Sequence, residues 1–269
     1  MPRCYQLKSF SVPSPNLAVF AATTHPRFTN LRRVIETSLP GVTCDRPPGH
    51  FIGLRSEEEI RLAGVTDTAP LLALLSLLGS VVSVCDTCEI SECLNFYQVP
   101  ERSDATAEVW RYTDLGRHVY LAKYRSIVTS AQSVADLLNR HTNLHPRLRS
   151  ADVVVSVPSS SAGTGRMDLA AYCAREIARE RRVSVVALQR NRTVSSQKDV
   201  PRDERIANQM NSMVLSTRIQ GARALILDDI YTDGGTMREA CRATRAAGAR
   251  VVMALNAAKT VTGAQGFWL

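Results

Sequence analysis

Two neighbouring aspartates at the end of an apolar run have the composition of a sugar or metal site. Asp228 and Asp229 follow Ala224-Leu-Ile-Leu227, a run typical of a buried strand. Side chains of neighbouring residues on an extended backbone point to opposite sides. Such a pair can accept hydrogen bonds from the vicinal hydroxyls of a ribose, or hold a hydrated Mg²⁺. These two residues are therefore the first candidates for catalysis and metal binding.

The loop after the two aspartates has the composition of a phosphate site. Gly234 and Gly235 allow the backbone to approach a ligand closely, and Thr236 supplies a hydroxyl. A helix predicted over 236–247 would point its first amides at an anion in this loop. The aspartates and the loop together describe a ribose 5-phosphate site. The alternative is a strand end whose glycine turn only starts a helix.

Ser159 and Ser160 form a second polar turn, shortly after the apolar run 153–157. Small polar residues at a strand end can turn their amides and hydroxyls toward an anion. Serine is equally common in ordinary turns, so both interpretations stay open.

A long polar segment, residues 189–205, separates two predicted elements. Loops of this length are uncommon in compact domains unless they have a function, so the segment predicts a lid over a site. Arg190 and Arg192 near its start can clamp a pyrophosphate through guanidinium hydrogen bonds. The alternative is a solvated loop whose charges pair with one another.

Regular alternation of strand and helix begins near residue 109 and predicts the fold. The pattern indicates helices over 127–138, 167–178 and 236–247, and strands over 153–157, 183–188, 224–227 and 250–255. Apolar strands that alternate with helices are typical of an α/β protein with a doubly wound parallel sheet, covered on both faces. Ligands bind outside the carboxyl ends of such strands, which is where the aspartates and the polar loops come.

The segment 225–236 resembles the phosphoribosyl pyrophosphate (PRPP) motif of type I phosphoribosyltransferases. It has the apolar strand, two acids, two apolar residues and a Thr/Gly loop that closes on a threonine. The resemblance implies the type I fold, with Asp228 and Asp229 on the ribose hydroxyls and Mg²⁺. The 5-phosphate loop would comprise Thr232, Asp233, Gly234, Gly235 and Thr236. Asp233 departs from the family's threonine, and a carboxylate there repels a phosphate unless it turns away or pairs with a cation.

The flanking segments resemble the competence protein F (ComF) branch of that family over about residues 108 to 259. The matching positions are Ala122-Lys123-Tyr124-Arg125, Val155-Ser-Val-Pro158, Gly165-Arg166-Met-Asp168, and Arg190-Asn-Arg192-Thr193 with Gln197, Arg205 and Asn208. The resemblance places the pyrophosphate loop at Ser159 and Ser160. It also places a flexible hood loop at the segment with Arg190, Arg192 and Gln197, and implies a small N-terminal zinc-finger region.

The first 107 residues lack the strand–helix alternation and are rich in proline, threonine and serine. We therefore divide the chain into a small N-terminal region, residues 1–107, and a phosphoribosyltransferase-like domain, residues 108–269. Ser56 precedes three glutamates, which predicts the start of a helix because acids are favoured in a first turn. The apolar segment 69–78 predicts a buried helix.

Cys85, Cys88 and Cys93 lie close together near the end of the N-terminal region. Zinc needs four ligands, usually as two close pairs, and the fourth here would be the distant Cys44 or His50. Buried or incidental thiols are therefore favoured over a zinc site.

The overall composition excludes several classes of protein. The chain has 269 residues, 45% of them hydrophobic and 22% charged, which is typical of a globular protein rather than a disordered one. The longest apolar segment, 69–84, is too interrupted for a membrane helix, and the first residues lack a secretory signal pattern. We therefore expect a cytoplasmic protein with reduced thiols and no membrane partner. His118, His141 and His145 lie in polar stretches and are expected at the surface.

The sequence as a whole predicts an enzyme that binds PRPP with Mg²⁺ and transfers the phosphoribosyl group to a nitrogenous acceptor. The residues leave the acceptor open, and likewise whether the chain forms a homo-oligomer. One alternative is a weakly active or inactive domain that binds nucleic acid in DNA uptake, which Asp233 and the formal charge of +8 favour slightly. The other is a regulator that senses PRPP or a nucleotide.

Overall fold

The structure, a computed structural model, describes residues 4–22, 28–45, 57–101, 109–159, 165–192 and 205–261. Within these ranges the helices are α1 (Phe28–Ser38), α2 (Ala69–Gly79), α3 (Asp114–Arg125), α4 (Val128–Leu144), α5 (Leu169–Arg181), α6 (Arg205–Gln209) and α7 (Gly235–Ala246). The strands are β1 (Cys4–Tyr5), β2 (Leu7–Ser14), β3 (Leu17–Ala22), β4 (Thr43–Asp45), β5 (Glu57–Ala63), β6 (Val82–Val84), β7 (Ser91–Phe96), β8 (Gln98–Glu101), β9 (Val109–Tyr112), β10 (Val153–Ser156), β11 (Ser184–Ala187), β12 (Gln189–Arg190), β13 (Met213–Val214), β14 (Arg223–Tyr231) and β15 (Val251–Lys259). None of these helices is long and apolar enough to cross a membrane.

A seven-stranded sheet with the order β1-β6-β7-β15-β14-β10-β11 forms the centre of the fold. Five neighbouring strands, in the spatial order β7, β15, β14, β10 and β11, pair in parallel. Strands β6 and β1 extend the sheet beyond β7 with antiparallel pairing. The predicted α/β class with a largely parallel central sheet is confirmed. Every residue of β10 and β15 is buried, which explains their almost continuous apolar sequences.

Strand β14 is longer than its apolar run predicts. The prediction ended this strand at Leu227, but its pairing with β15 continues to Tyr231, which lies opposite Lys259. The two aspartates therefore lie within the second half of a paired strand rather than in the loop after it. Their backbone is fixed by the neighbouring strand, and only their side chains have conformational freedom.

Helices cover both faces of the central sheet. One hydrophobic cluster joins residues of α3, α4 and α5 to Leu225, Leu227 and Met253. The other joins residues of α7 to Ile226 and Val252. Alternate side chains of each strand thus enter opposite cores, as expected for a sheet covered on both sides.

The N-terminal region contributes strands to three sheets, one of which is the antiparallel pair of β8 with β9. Its β1, β6 and β7 belong to the central sheet, while β2, β3, β5 and β4 form a separate antiparallel sheet. The predicted helix over 69–78 is confirmed as α2. The helix expected after Ser56 is wrong, because residues 57–63 form β5, in which buried Ile60 and Leu62 alternate with exposed neighbours. Ser56 and the proposed boundary at residues 107 and 108 lie outside the described residues.

Two histidines expected at the surface are buried, and that expectation was wrong. His141 Nε2 lies 2.6 Å from Glu92 Oε2, and His145 Nε2 lies 3.3 Å from Glu92 Oε1. All three side chains are at most 5% exposed. Burial raises the pKa of Glu92, but the two histidines outweigh it and hold that pKa well below its usual value. This cluster joins α4 and the residue that follows it to β7, because the two histidines are four residues apart and face the same way.

Replacing Glu92 with alanine removes the carboxylate that both buried histidines face. We expect the free energy of unfolding to fall by about 3–5 kcal/mol, as when one partner of a buried charged pair is removed. Glu89→Ala is the matched control, since Glu89 forms a partly exposed bridge of 2.7 Å with Arg147 and its loss should cost under about 1 kcal/mol. Urea unfolding at pH 7 measures both variants. Equal losses would show that the Glu92 cluster stabilises the fold no more than a surface ion pair does.

Candidate functional site

The two aspartates lie at the carboxyl end of β14, near the middle of the sheet. Asp229 is buried and Asp228 is partly exposed. The backbone amide of Asp229 donates to Asp228 Oδ1 over 2.8 Å. This hydrogen bond holds the Asp228 carboxylate against the backbone of its own strand. The side chains of Asp228 and Asp229 therefore point in different directions.

Lys123 is the charged partner of Asp229, and it reaches the sheet from α3. Its Nζ lies 2.8 Å from Oδ1 and 2.7 Å from Oδ2 of Asp229. Burial lowers the pKa of Lys123, but Asp229 outweighs this and keeps the pKa above its usual value. The ammonium therefore stays protonated. Lys123 was quoted above only as part of a family resemblance, and nothing in its immediate sequence indicated an ion pair with a residue 106 positions away.

Asp228 is the acid that titrates near neutral pH. Burial, followed by the charge of Asp229, raises its pKa to about 7, although Lys123 opposes the shift. Two carboxylates in adjacent positions cannot both ionise without cost. Because Lys123 contacts Asp229, the unfavourable free energy of ionising both acids falls mainly on Asp228. The protonation state of Asp228 therefore changes in the physiological pH range.

The loop between β14 and α7 has the form expected of an anion site. Gly234 has a φ of +87°, the left-handed conformation that glycine adopts without strain. Gly235 begins α7, and its amide donates to Asp233 Oδ1 over 3.1 Å. Asp233 is only 8% exposed, so its carboxylate lies against the start of α7 rather than in solvent. The back of the loop is fixed by Lys259 Nζ, which donates to the Thr232 carbonyl over 3.0 Å.

The predicted pyrophosphate loop begins at the end of β10. The Ser159 amide donates to Asp168 Oδ2 over 3.4 Å, and Asp168 also caps α5 by accepting from the Ala171 amide over 3.0 Å. Asp168 thereby ties the loop to the start of the next helix. Ser160 lies outside the described residues.

The predicted hood is framed by the short pair of strands β12 and β13. Arg190 on β12 is partly buried, and its Nη1 donates to Gln209 Oε1 over 3.2 Å. Burial lowers its pKa and the charge of Asp228 opposes this, so its guanidinium is within electrostatic reach of the site. Arg192 instead donates to the carbonyls of Asn208 and Met210, each over 2.8 Å. Gln197 lies outside the described residues.

The cysteine cluster is divided between different contacts. Cys88 donates a hydrogen bond to Cys241 of α7, which lowers the pKa of Cys241 to about 7. Cys93 is buried in the same core as Cys4. Within the described ranges, no group of three or more His, Cys, Asp or Glu side chains is arranged to hold a metal ion. His50 is outside those ranges.

Four tyrosines that the sequence did not single out form a row beside Lys123. Ring centroids are 5.2 Å apart for Tyr97 and Tyr112, 5.2 Å for Tyr112 and Tyr120, and 5.5 Å for Tyr120 and Tyr124. Two arginine side chains cover this row, one 5.9 Å from the centroid of Tyr120 and one 5.6 Å from that of Tyr124. One end of the row is beside the buried ion pair, where the centroid of Tyr124 lies 5.8 Å from Lys123 Nζ.

Replacing Asp228 with asparagine removes the group whose ionisation the fold opposes. Its pKa is about 7 in the folded protein and about 4 in an unfolded chain. Between these values the folded state keeps a proton that the unfolded chain loses, so stability falls as pH rises from about 4 to about 7. We expect Asp228→Asn to flatten this slope and to raise the free energy of unfolding at pH 8 by on the order of 2–4 kcal/mol.

Asp152→Asn serves as the control for that measurement. Its hydrogen bond with Arg223 lowers the pKa of Asp152 to about 2, so this carboxylate does not titrate between pH 5 and 8. Chemical unfolding in steps over that pH range checks the prediction. Parallel curves for wild type and Asp228→Asn would show that ionising Asp228 carries no stability cost.

Comparison with known proteins finds one family model and several solved structures that are similar to this chain. Residues 128–261 match a family model described as a phosphoribosyl transferase domain. No curated protein sequence matches the chain. Solved structures similar to it include a purine phosphoribosyltransferase from Pyrococcus horikoshii Ot3, with 13% identity, a TM-score of 0.31, and 46% of this chain and 69% of the other covered.

Two further similar structures differ in the base that their names contain. An adenine phosphoribosyltransferase from Saccharomyces cerevisiae shares 15% identity over 63% of this chain and 85% of its own, with a TM-score of 0.37. An orotate phosphoribosyltransferase from Aeropyrum pernix shares 16% identity over 58% of this chain and 71% of its own, with a TM-score of 0.34. The family match includes both aspartates and the whole loop, and the largely parallel central sheet with helices on both faces is the fold class expected of a type I phosphoribosyltransferase.

Proposed function

We propose that the chain binds PRPP with Mg²⁺ and transfers the 5-phosphoribosyl group to a nitrogenous acceptor. The observation that carries this proposal is the junction of β14 and α7. There Asp228 and Asp229 lie near the carboxyl end of a central parallel strand, and a glycine loop leads from that strand to a helix N-terminus. Carboxylates for ribose hydroxyls thus stand one loop away from amides suited to a phosphate.

The remaining groups suit the other parts of the donor. Ser159 follows β10 at the same edge of the sheet, and we propose that it faces the pyrophosphate together with Ser160, the next residue in the sequence. Arg190 lies within electrostatic reach of Asp228, and its guanidinium can neutralise a phosphate. Gln197 and Arg192 belong to the same hood segment, with Arg192 anchoring its base.

The transfer breaks the bond between C1 of the ribose and pyrophosphate and forms a bond from C1 to the acceptor nitrogen. The leaving pyrophosphate carries away the electron pair, and the acceptor nitrogen loses its proton. Positive charge develops on the ribose ring as the bond breaks. Asp228 and Asp229 favour that charge electrostatically, and the loop 232–236 holds the sugar in line by its phosphate.

Mg²⁺ would supply neutralisation of the pyrophosphate charge. Asp228 Oδ1 already accepts a hydrogen bond from the Asp229 amide, which limits direct contact between this oxygen and a metal ion. The side chains therefore fit an ion held through water and by the donor's own oxygens, in line with the reluctance of Mg²⁺ to lose its waters. The ComF-like branch belongs to this proposal too, and the segments quoted from Ala122 to Asn208 support it.

A second candidate function is binding of single-stranded nucleic acid, which the arginine-covered tyrosines favour. Tyr112 on β9 is 40% exposed, and bases stack on such rings while arginines attract phosphates. Binding of this kind would weaken steeply with salt because neutralised phosphates release counterions. Titration with a labelled oligonucleotide at low and moderate salt tests it, and no binding at low salt would contradict it.

The proposed activity is tested by incubating the protein with PRPP, Mg²⁺ and a panel of purine and pyrimidine bases, and measuring pyrophosphate release. We expect release with at least one base, and a fall of at least 100-fold, about 2.7 kcal/mol, in the variant with both Asp228→Asn and Asp229→Asn. Turnover unchanged in that variant would contradict the assignment of the two aspartates. PRPP binding without turnover across the panel would instead favour a PRPP-sensing regulator.

Asp233→Thr tests the residue that departs from the family's loop. The Asp233 carboxylate accepts from the Gly235 amide, which is one of the donors that a 5-phosphate needs. Removing this charge should tighten binding of PRPP with Mg²⁺ about tenfold, close to 1.4 kcal/mol. Calorimetric titration measures it, with Asp136→Asn on the exposed side of α4 as the charge-matched control. Weaker binding by Asp233→Thr would show that Asp233 shapes the loop rather than competing with the phosphate.

A further inference from the structure

Both carboxylate oxygens of Asp229 are in contact with a cation that belongs to the chain. Lys123 Nζ is 2.8 Å from one oxygen and 2.7 Å from the other. An ammonium placed between the two oxygens stands where a cation bound by both of them would stand. The side chains are only 13% and 9% exposed, so water screens this contact little.

The position of Lys123 is fixed by the way α3 begins. Thr113 Oγ1 donates to the Phe96 carbonyl over 2.5 Å and accepts from the Gly116 amide over 2.9 Å. A Cβ atom on Gly116 would lie 1.8 Å from the Tyr97 carbonyl oxygen. The first turn of α3 is thus pressed against the end of β7, and the helix delivers Lys123 to the edge where β14 ends.

The other acid does not compensate for the occupied carboxylate. Asp228 gives Oδ1 to the Asp229 amide. Within the described ranges, no third acid or histidine joins the pair in an arrangement that holds a metal ion. Mg²⁺ binds best to several oxygen ligands in octahedral geometry. The two aspartates do not offer such a set of ligands, because Lys123 reaches Asp229 from α3 and occupies both of its oxygens.

We propose that Lys123 takes the place of a divalent cation at Asp229, so that the protein alone holds no metal at this pair and Mg²⁺ enters only with the donor. The proposal rests on the proposed function in treating Asp229 as a ligand of the donor's ribose. Lys123 is a positioning residue in this account. It holds both oxygens of the buried Asp229 carboxylate in one orientation before any ligand arrives.

The test uses Tb³⁺ alone, which seeks the same carboxylate oxygens and luminesces when nearby tyrosines transfer energy to it. The ring of Tyr124 lies 5.8 Å from Lys123 Nζ, close enough to report an ion at Asp229. Wild type and Asp229→Asn should give the same tyrosine-sensitised signal. Lys123→Met should bind Tb³⁺ at least tenfold more tightly than wild type, and adding Asp229→Asn to it should abolish the gain.

Arg125→Met is the matched control, because it removes one positive charge from the exposed end of the same helix without touching Asp229. It should leave Tb³⁺ binding unchanged. A gain equal to that of Lys123→Met would mean that general charge, and not the vacated carboxylate, attracts the ion, which would overturn the proposal.

Two further results would overturn it. One is a wild-type Tb³⁺ signal that Asp229→Asn removes, and the other is a Lys123→Met protein that is folded by circular dichroism and gains no binding. If Lys123→Met does not fold, the comparison of wild type with Asp229→Asn still decides. Failure of PRPP binding in calorimetry would contradict the proposed function and leave the Tb³⁺ result standing, so the two are distinguishable.

Discussion

Parallel pairing of β14 between β15 and β10 is the interaction on which the candidate site depends. The three strands are in register from Val153 opposite Ala224 onward, and on the β15 side the pairing runs to Tyr231. Because β14 is buried on both faces, its last residues can turn only toward the open edge of the sheet. The two aspartates, the loop to α7 and the turn after β10 meet at that edge for this reason.

Placing acids at the end of a doubly covered strand has an electrostatic cost that the fold meets in two ways. Asp229 has the opposite charge of Lys123 in direct contact, whereas Asp228 has its pKa raised to about 7. A buried pair of this kind stabilises a fold less than apolar residues of similar size would. The arrangement is therefore better understood as preparation for a polar ligand than as a source of stability.

Local sequence was sufficient to predict most strands and helices of the parallel sheet, although it failed at residues 57–63, which form β5. The apolar strands, the helix after the loop and the two aspartates were predicted because each is visible within a dozen residues. The Lys123 contact was not, since it joins residues 106 positions apart and no pattern in either segment encodes it. His145 could have been found, because it continues the buried positions Leu138 and His141 of α4 at helical spacing.

Two side chains of the protein occupy the places that the charged groups of a PRPP donor and its metal ion would take. Lys123 satisfies the acid that a ribose or its metal would otherwise satisfy, and the Asp233 carboxylate accepts the Gly235 amide that a phosphate would otherwise take. Without ligand, the Asp229 carboxylate and the Gly235 amide thus already have partners within the chain. Binding must then exchange these internal contacts for external ones, so the net affinity is the difference between two similar sets of interactions. Under the proposed function, such a site discriminates strongly between ligands. A ligand that lacks either the phosphate or the ribose hydroxyls breaks an internal contact without forming a new one in its place.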